Sequence, residues 1–93
     1  MPKYKVVAHR SVYNFLKELK DEALKNSFKE RIAKLEDYPL SLREMDTEKI
    51  EGAKDTFRLR IGKYRVIFFV DKSDGTIYVT YIEIRKKAYT KKG

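Results

Sequence analysis

Residues Phe57 to Val70 read FRLRIGKYRVIFFV, two apolar-rich runs separated by a glycine. Residues 57–61 alternate apolar and basic side chains, the pattern of a strand with one buried face. Residues 64–70 are almost entirely apolar and predict a central strand. Gly62-Lys63 stands between the two runs, and glycine at the first central position favours a two-residue type II′ turn. The stretch therefore predicts a β-hairpin.

The predicted hairpin has one apolar face and one basic face, because side chains alternate along a strand. A two-residue turn pairs Arg60 with Arg65, and like charges in that position destabilise a sheet. Arginine holds phosphate through a planar fork of hydrogen-bond donors. We therefore interpret Arg58, Arg60 and Arg65 as a nucleic-acid-binding cluster. The side chains expected on the opposite face, against helices, are Leu59, Ile61, Tyr64, Val66 and Phe68.

The residues before the hairpin predict one strand and two helices. The segment KYKVVA (3–8) alternates and contains β-branched residues, as strands do. Apolar residues at helical spacing indicate a first helix, with Ser11 as a candidate cap. Asp21 is the candidate cap of a second helix, which we expect to end at Tyr38-Pro39 because a residue before proline avoids helical geometry.

A mixed connection over residues 39–55 and a third strand over residues 77–84 complete the predicted order β-α-α-β-β-β. This order indicates an α+β fold in which a two-helix hairpin packs on one face of an antiparallel sheet. We predict a single domain over residues 1–93, with residues 86–93 as a basic C-terminal tail.

The third strand leaves the facing of Arg85 open. If residues 72–75 form a four-residue loop, a regular register pairs Arg65 with Ile82 and points Arg85 to the core side. A β-bulge near either end of the strand would turn Arg85 to the basic face instead.

Charge is concentrated in the C-terminal part of the chain. The net charge is +8, yet residues 1–55 hold 12 basic and 11 acidic residues, whereas residues 56–93 hold 10 basic and 3 acidic ones. A localised excess of this kind is typical of a surface that binds a polyanion. The three acidic residues after position 55 are too few to neutralise the arginines.

Composition excludes several classes of site. The chain has no cysteine, which excludes disulfides, thiolate metal sites and a catalytic thiol. His9 is the single histidine, so a two-histidine nuclease mechanism is excluded, and we expect this ring to cap the first helix or to be exposed. The scattered carboxylates predict no metal site and no other cofactor. With no signal peptide and no apolar membrane span, we expect a cytoplasmic protein without membrane contact.

Three segments together carry a resemblance to a known family: KIEG (49–52), FRLRIGKYRVIFFV (57–70) and IEIRKKAY (82–89). With the predicted element order, they resemble the RelE/ParE toxin superfamily of toxin–antitoxin systems, and the RelE-like branch in particular. The resemblance implies a ribosome-dependent endoribonuclease that cuts mRNA and inhibits translation. It also implies a cognate antitoxin, the ribosome and mRNA as partners.

Family roles transfer by resemblance to particular positions. The basic pair before the hairpin turn falls on Arg58 and Arg60, and the arginine after the turn falls on Arg65. The C-terminal arginine and tyrosine fall on Arg85 and Tyr89. Lys54, Lys86 and Lys87 are further candidates for nucleic-acid contact.

Two alternatives remain open beside the endoribonuclease. ParE-type members share the fold but inhibit DNA gyrase. Many members place histidine directly before the C-terminal arginine, where this chain has Ile84, and some have a basic residue where this chain has Glu83. These departures leave room for a catalytically inactive nucleic-acid-binding relative.

Cleavage of RNA by its own 2′-hydroxyl needs removal of one proton, stabilisation of charge on the phosphate, and protonation of the leaving oxygen. We expect Arg65 and Arg85 to stabilise the transition state electrostatically. Arginine is a poor proton donor because its pKa lies above 12. Tyr89 would act as a base or stack on a nucleobase. This weak acid–base equipment predicts slow or no cleavage of free RNA and dependence on positioning by the ribosome.

Overall fold

The computed structural model describes residues 3–84. The elements in this range are β1 (Lys5–Ala8), α1 (Arg10–Glu18), α2 (Glu22–Lys34), a 3₁₀ turn (Leu35–Asp37), α3 (Leu40–Glu44), β2 (Thr47–Lys49), β3 (Thr56–Ile61), β4 (Tyr64–Asp71) and β5 (Thr76–Ile84). Within this range no helix combines the length and the apolar character needed to cross a membrane.

The predicted hairpin is formed by β3 and β4. The strands pair antiparallel, with Arg60 opposite Arg65 and Arg58 opposite Ile67. Gly62 has a φ of +60° and the following Lys63 does not have a positive φ, as a type II′ turn requires. The predicted register is therefore confirmed, and β4 becomes the central strand of a five-stranded sheet of order β1-β5-β4-β3-β2.

The α+β class with helices on one face is confirmed, but the sheet is mixed rather than purely antiparallel. β1 pairs parallel with β5, from Lys5 opposite Thr76 to Ala8 opposite Val79. The strand at the start of the chain thus lies beside the last one. No local pattern reveals this arrangement, because strand order depends on contacts between distant segments.

Residues 39–55 are more structured than predicted. They contain the short helix α3 and the edge strand β2, which pairs antiparallel with β3 so that Glu48 lies opposite Arg58. Three residues of polar sequence, Thr47–Lys49, are too short to show a strand periodicity. β2 therefore forms because β3 offers an unpaired edge, and not because of its own propensity.

Side chains cap both long helices. His9 caps α1, since its Nδ1 accepts a hydrogen bond from the backbone N–H of Ser11 at 3.0 Å. The expected cap at Ser11 is thus wrong by two residues, whereas the structural role expected for His9 is confirmed. Asp21 caps α2 as predicted, accepting from the N–H of Leu24 at 3.1 Å.

The core lies between the helices and one face of the sheet. Phe28 of α2 is fully buried, and its ring meets Phe15 of α1 and Tyr64 of β4 edge to face, at 5.6 and 5.4 Å between centroids. The buried cluster is completed by Val12, Leu35, Leu59, Ile61, Val66, Phe68, Val70, Ile77 and Val79. The apolar face of the hairpin therefore meets the helices as predicted, which directs its arginines to the other side.

A β-bulge in the middle of β5 decides which side chains face which way. Ile67 lies opposite Tyr81 but Phe68 lies opposite Val79, so Thr80 is an extra residue. The hydroxyl of Thr80 donates to the carbonyl of Ile67 at 3.1 Å. Beyond the bulge, Arg65 lies opposite Glu83.

This bulge corrects the register expected for β5. The loop over residues 72–75 has the expected length, with Asp71 opposite Thr76, but Arg65 does not pair with Ile82. The bulge lies in mid-strand, whereas the sequence suggested one only near the strand ends. Arg85 itself lies outside the described residues.

Candidate nucleic-acid interface

The sheet surface turned away from the helices, called the open face here, has its side chains in three rows across the strands. Counting from the hairpin turn, the rows are Arg60, Arg65 and Glu83; then Glu48, Arg58, Ile67 and Tyr81; then Thr56, Phe69, Tyr78 and Val7. Adjacent rows are about 7 Å apart, since they are two strand residues apart. The open face is thus basic near the hairpin turn and aromatic farther away.

Arg58, Arg60 and Arg65, called the arginine cluster here, are brought together by the hairpin. Arg60 and Arg65 are directly paired positions, and Arg58 stands one row along on the same strand as Arg60. The Arg60 side chain is 47% exposed and that of Arg58 is 26% exposed. The structure therefore places positively charged guanidinium groups next to one another on an accessible surface.

Glu48 on the edge strand β2 binds two of these arginines, a role that sequence reasoning missed. Its carboxylate accepts a hydrogen bond from Nη1 of Arg58 at 3.1 Å and another from Nη2 of Arg60. Glu48 precedes position 55 and so lies outside the three acidic residues of the C-terminal part of the chain. The glutamate is visible in the segment TEK (47–49), but only the pairing of β2 with β3 shows that it lies beside the arginines.

The arginines act on the ionisation of Glu48 in turn. The hydrogen bond from Arg60 lowers the pKa of the Glu48 carboxyl below its ordinary value, although partial desolvation opposes this shift. The charges of Arg60, Arg58 and Arg65 lower the pKa further. Glu48 therefore stays ionised to lower pH than a free glutamate and partly neutralises the cluster.

Arg65 differs from its two neighbours. It makes no ion pair with any of residues 3–84, although Glu83 occupies the paired position on β5. Nε of Arg58 is also buried without a hydrogen-bond partner in the described part of the chain. Arg65 is thus the one arginine of the cluster that Glu48 does not bind, so its guanidinium group can bind another anion.

The structure does not bring Lys54 to the arginine cluster. Lys54 lies in the loop before β3, where its carbonyl accepts a hydrogen bond from the Thr56 hydroxyl at 2.9 Å. It lines a shallow hollow with Lys72, which itself forms an ion pair with Asp55 at 3.5 Å. This hollow is at the end of the sheet farthest from the hairpin turn. The other predicted site residues, Arg85, Lys86, Lys87 and Tyr89, lie outside the described residues.

The described part of the site suits phosphate binding better than proton transfer. Guanidinium groups bind anions and stabilise developing negative charge, but they do not give up protons near neutral pH. His9 is occupied as the cap of α1. Among residues 3–84, no three His, Asp or Glu side chains are grouped so that they could hold a metal ion. The arrangement can therefore hold a phosphate chain and stabilise charge on one phosphate.

Known proteins match most of this chain. Residues 6–89 match the family model described as the ParE toxin of the type II toxin–antitoxin system parDE. The chain is also 36% identical over 87 residues to RelE1, a candidate toxin of Methanocaldococcus jannaschii, covering 94% of this chain and 96% of the relative.

Solved structures show the same fold. The toxin chain in the archaeal RelE–RelB complex of Pyrococcus horikoshii is 33% identical, with a TM-score of 0.78 over 92% of this chain and 99% of that one. The isolated RelE toxin of E. coli is 14% identical, with a TM-score of 0.70 over 94% of this chain and 92% of that one. At that identity, the second likeness shows the fold alone.

Proposed function

The chain belongs to the RelE/ParE superfamily of toxins from type II toxin–antitoxin systems, on the RelE-like side, and from that premise we propose that it is a ribosome-dependent mRNA endoribonuclease. The observation that carries the proposal is the pairing of Arg60 with Arg65 on the open face. Like charges in paired positions destabilise a sheet unless an anion binds them, and Glu48 forms an ion pair with Arg60 but not with Arg65.

In this proposal the arginines do the electrostatic work of cleavage. Arg65, which is not bound by Glu48, stabilises the charge that develops on the phosphate as the 2′-oxygen attacks it, and Arg58 and Arg60 hold neighbouring phosphates. Arg85 would share the role of Arg65, and Tyr89 would act as a base or stack on a nucleobase. Lys86 and Lys87 would add attraction for the RNA backbone, and Lys54 would do so from the end of the sheet opposite the hairpin turn.

The scarcity of proton-transfer groups explains why the ribosome would be needed. Holding the 2′-hydroxyl in line with the phosphate lowers the barrier without any acid or base from the protein. The reaction would need no metal and would be slow on free RNA. Because translating ribosomes are the site of action, the protein would work in the cytoplasm.

A cognate antitoxin is the second proposed partner. The related toxin of P. horikoshii was crystallised in a complex with RelB. We expect an antitoxin of this chain to cover the arginine cluster, because an acidic segment laid there would compete with phosphate for the same guanidinium groups.

Primer extension on mRNA from translating ribosomes tests the proposal. We expect the wild type to produce cuts in translated mRNA and Arg65→Ala to cut about 10²–10³ times more slowly, as for loss of one transition-state donor. Arg31→Ala is the matched control, because Arg31 is an exposed arginine at the end of α2. Equal cleavage patterns for the wild type and Arg65→Ala would refute the proposal.

Inhibition of DNA gyrase is the alternative that a specific observation favours, because the matching family model is described as a ParE toxin. Expression would then cause DNA damage while mRNA stays intact. An inactive relative, suggested by Glu83 and Ile84, would bind nucleic acid in a salt-sensitive way without stopping growth.

A further inference from the structure

The bulge at Thr80 brings two tyrosines to the same face of the sheet. In a regular strand, residues three apart point to opposite sides. Because Thr80 is an extra residue, Tyr78 and Tyr81 both lie on the open face, opposite Phe69 and Ile67 respectively. Tyr78 is 37% exposed and Tyr81 is 46% exposed. Neither ring belongs to the buried core.

The two rings lie next to the arginine cluster on the open face. Tyr81 stands in the same row as Arg58, separated from it by Ile67, and one row away from Arg65. Tyr78 stands in the next row, with its ring stacked on that of Phe69 at 6.5 Å between centroids and 20° between planes. The Tyr78 ring thus packs against Phe69 of β4, and both tyrosines keep accessible surface.

We propose that Tyr81 and Tyr78 form a base-stacking platform for single-stranded RNA, beside the arginine cluster that holds the phosphates. The proposal rests on the proposed function and adds which residues hold the bases. Stacking on aromatic rings accepts any base, since every base has a π-face.

Charge complementarity favours RNA over an apolar peptide on this face. The rings share the open face with three arginines and two glutamates, Glu48 and Glu83, so the face is net positive. Residues 56–93 carry 10 basic against 3 acidic side chains. Arginines beside exposed aromatic rings are the combination that binds single-stranded nucleic acid, where cations follow the backbone and rings take the bases. A purely apolar peptide would leave the neighbouring guanidinium groups without a partner.

The first test compares two polyanions by fluorescence anisotropy: a single-stranded RNA of about 12 nucleotides and inorganic polyphosphate, used as a competitor without bases. We expect Tyr81→Ala and Tyr78→Ala each to weaken RNA binding by about 5- to 150-fold. Binding of polyphosphate should not change. Tyr81→Phe should retain RNA binding, because it keeps the ring.

Two controls separate stacking from other effects. Tyr13→Ala removes a tyrosine that is 64% exposed on α1 and should leave both affinities unchanged. Arg60→Ala should weaken binding of both polyanions, because both carry phosphate charge. If Tyr81→Ala weakened both polyanions equally, the ring would not be stacking on bases and the proposal would be wrong.

Tyr81→Trp provides a direct signal. The chain has no tryptophan, so this substitution creates a single indole whose fluorescence is quenched when a base stacks on it. We expect quenching by the RNA and none by polyphosphate. No quenching at saturating RNA would overturn the proposal.

Failure of this inference can be told apart from failure of the proposed function. If the protein cuts mRNA on ribosomes but the tyrosine substitutions do not change RNA binding, the proposed nuclease function is supported and the base-stacking platform is refuted. The exposed tyrosines would then be assigned to contact with a partner protein. Quenching of the indole by RNA, together with intact mRNA in expressing cells, would refute the nuclease and support the platform.

Discussion

The carboxylate of Glu48 accepts a hydrogen bond from Nη1 of Arg58 at 3.1 Å across the pairing of β2 with β3. The same carboxylate accepts one from Arg60. A fixed negative charge therefore lies where the phosphate of a bound nucleic acid would compete for guanidinium groups. Glu48 reduces the repulsion within the arginine cluster and must give way, at least in part, when a phosphate binds.

Removing the charge of Glu48 should strengthen binding of RNA. In Glu48→Gln the arginines lose an internal anion, so the cluster can neutralise about one more phosphate. We expect tighter binding of a single-stranded RNA at low salt. The plot of log K against log salt should be steeper by about 0.7, the value for one phosphate of a single strand.

The matched control for this measurement is Glu51→Gln, which removes an exposed carboxylate from the loop after β2. It should leave the salt slope close to that of the wild type. Weaker RNA binding by Glu48→Gln than by Glu51→Gln would show that Glu48 mainly orients the arginines, contrary to this expectation.

The same glutamate should make stability depend on pH in the acid range. Its pKa is lowered in the folded protein, chiefly by the hydrogen bond from Arg60. A lowered pKa means that stabilisation is fully present above the ordinary value of about 4.3 and is lost as the pH falls through the folded value. The difference in Tm between the wild type and Glu48→Gln should therefore be positive at pH 7 and vanish toward pH 2. A difference that grew on acidification would contradict the ion pairs described here.

The hairpin turn depends on Gly62. Its φ of +60° is unfavourable for any residue with a Cβ, although no atom lies within 4 Å of the position that a Cβ would occupy. We expect Gly62→Ala to lower the free energy of unfolding by about 1–3 kcal/mol, through backbone conformation alone. Urea denaturation measures this change, and Lys63→Ala, in the other turn position, should have a smaller effect. Equal effects would indicate a different turn type.

Phe28 holds the helices to the sheet. It is fully buried, and its ring contacts those of Phe15 and Tyr64. We expect Phe28→Ala to lower the free energy of unfolding by about 3–5 kcal/mol, since it removes a buried ring and leaves a cavity. Chemical denaturation with Tyr13→Ala as the exposed control checks this expectation. Comparable losses for the two variants would contradict the core described above.

At the arginine cluster, some features follow from local sequence patterns and others only from the tertiary structure. The pairing of Arg60 with Arg65 follows from the alternation of residues 57–61, a two-residue turn and the apolar run that follows, all within one local segment. The Asp21 cap and the apolar faces of the helices are local in the same sense. Local patterns sufficed because periodicity and turn chemistry act over a few residues.

The residues that lie beside the arginine cluster come from segments distant in the sequence, and local patterns did not predict them. Glu48 meets the arginines because β2 adds to an open strand edge, and β2 is too short to show a pattern. Tyr81 and Glu83 lie on the same face as the arginines because one extra residue, Thr80, reverses the alternation of β5. A one-residue shift moves every later side chain to the other face.

Local sequence patterns thus suffice to predict a basic hairpin, its register and the two helices that cover its apolar side. The residues beside the arginines follow from long-range strand pairing instead: a carboxylate from an edge strand, and Tyr81, which a bulge turns to the face that Tyr78 already occupies. The physical reason is that strand pairing and bulges are set by contacts between distant segments, whereas turns and amphipathic faces are set by neighbours in the chain.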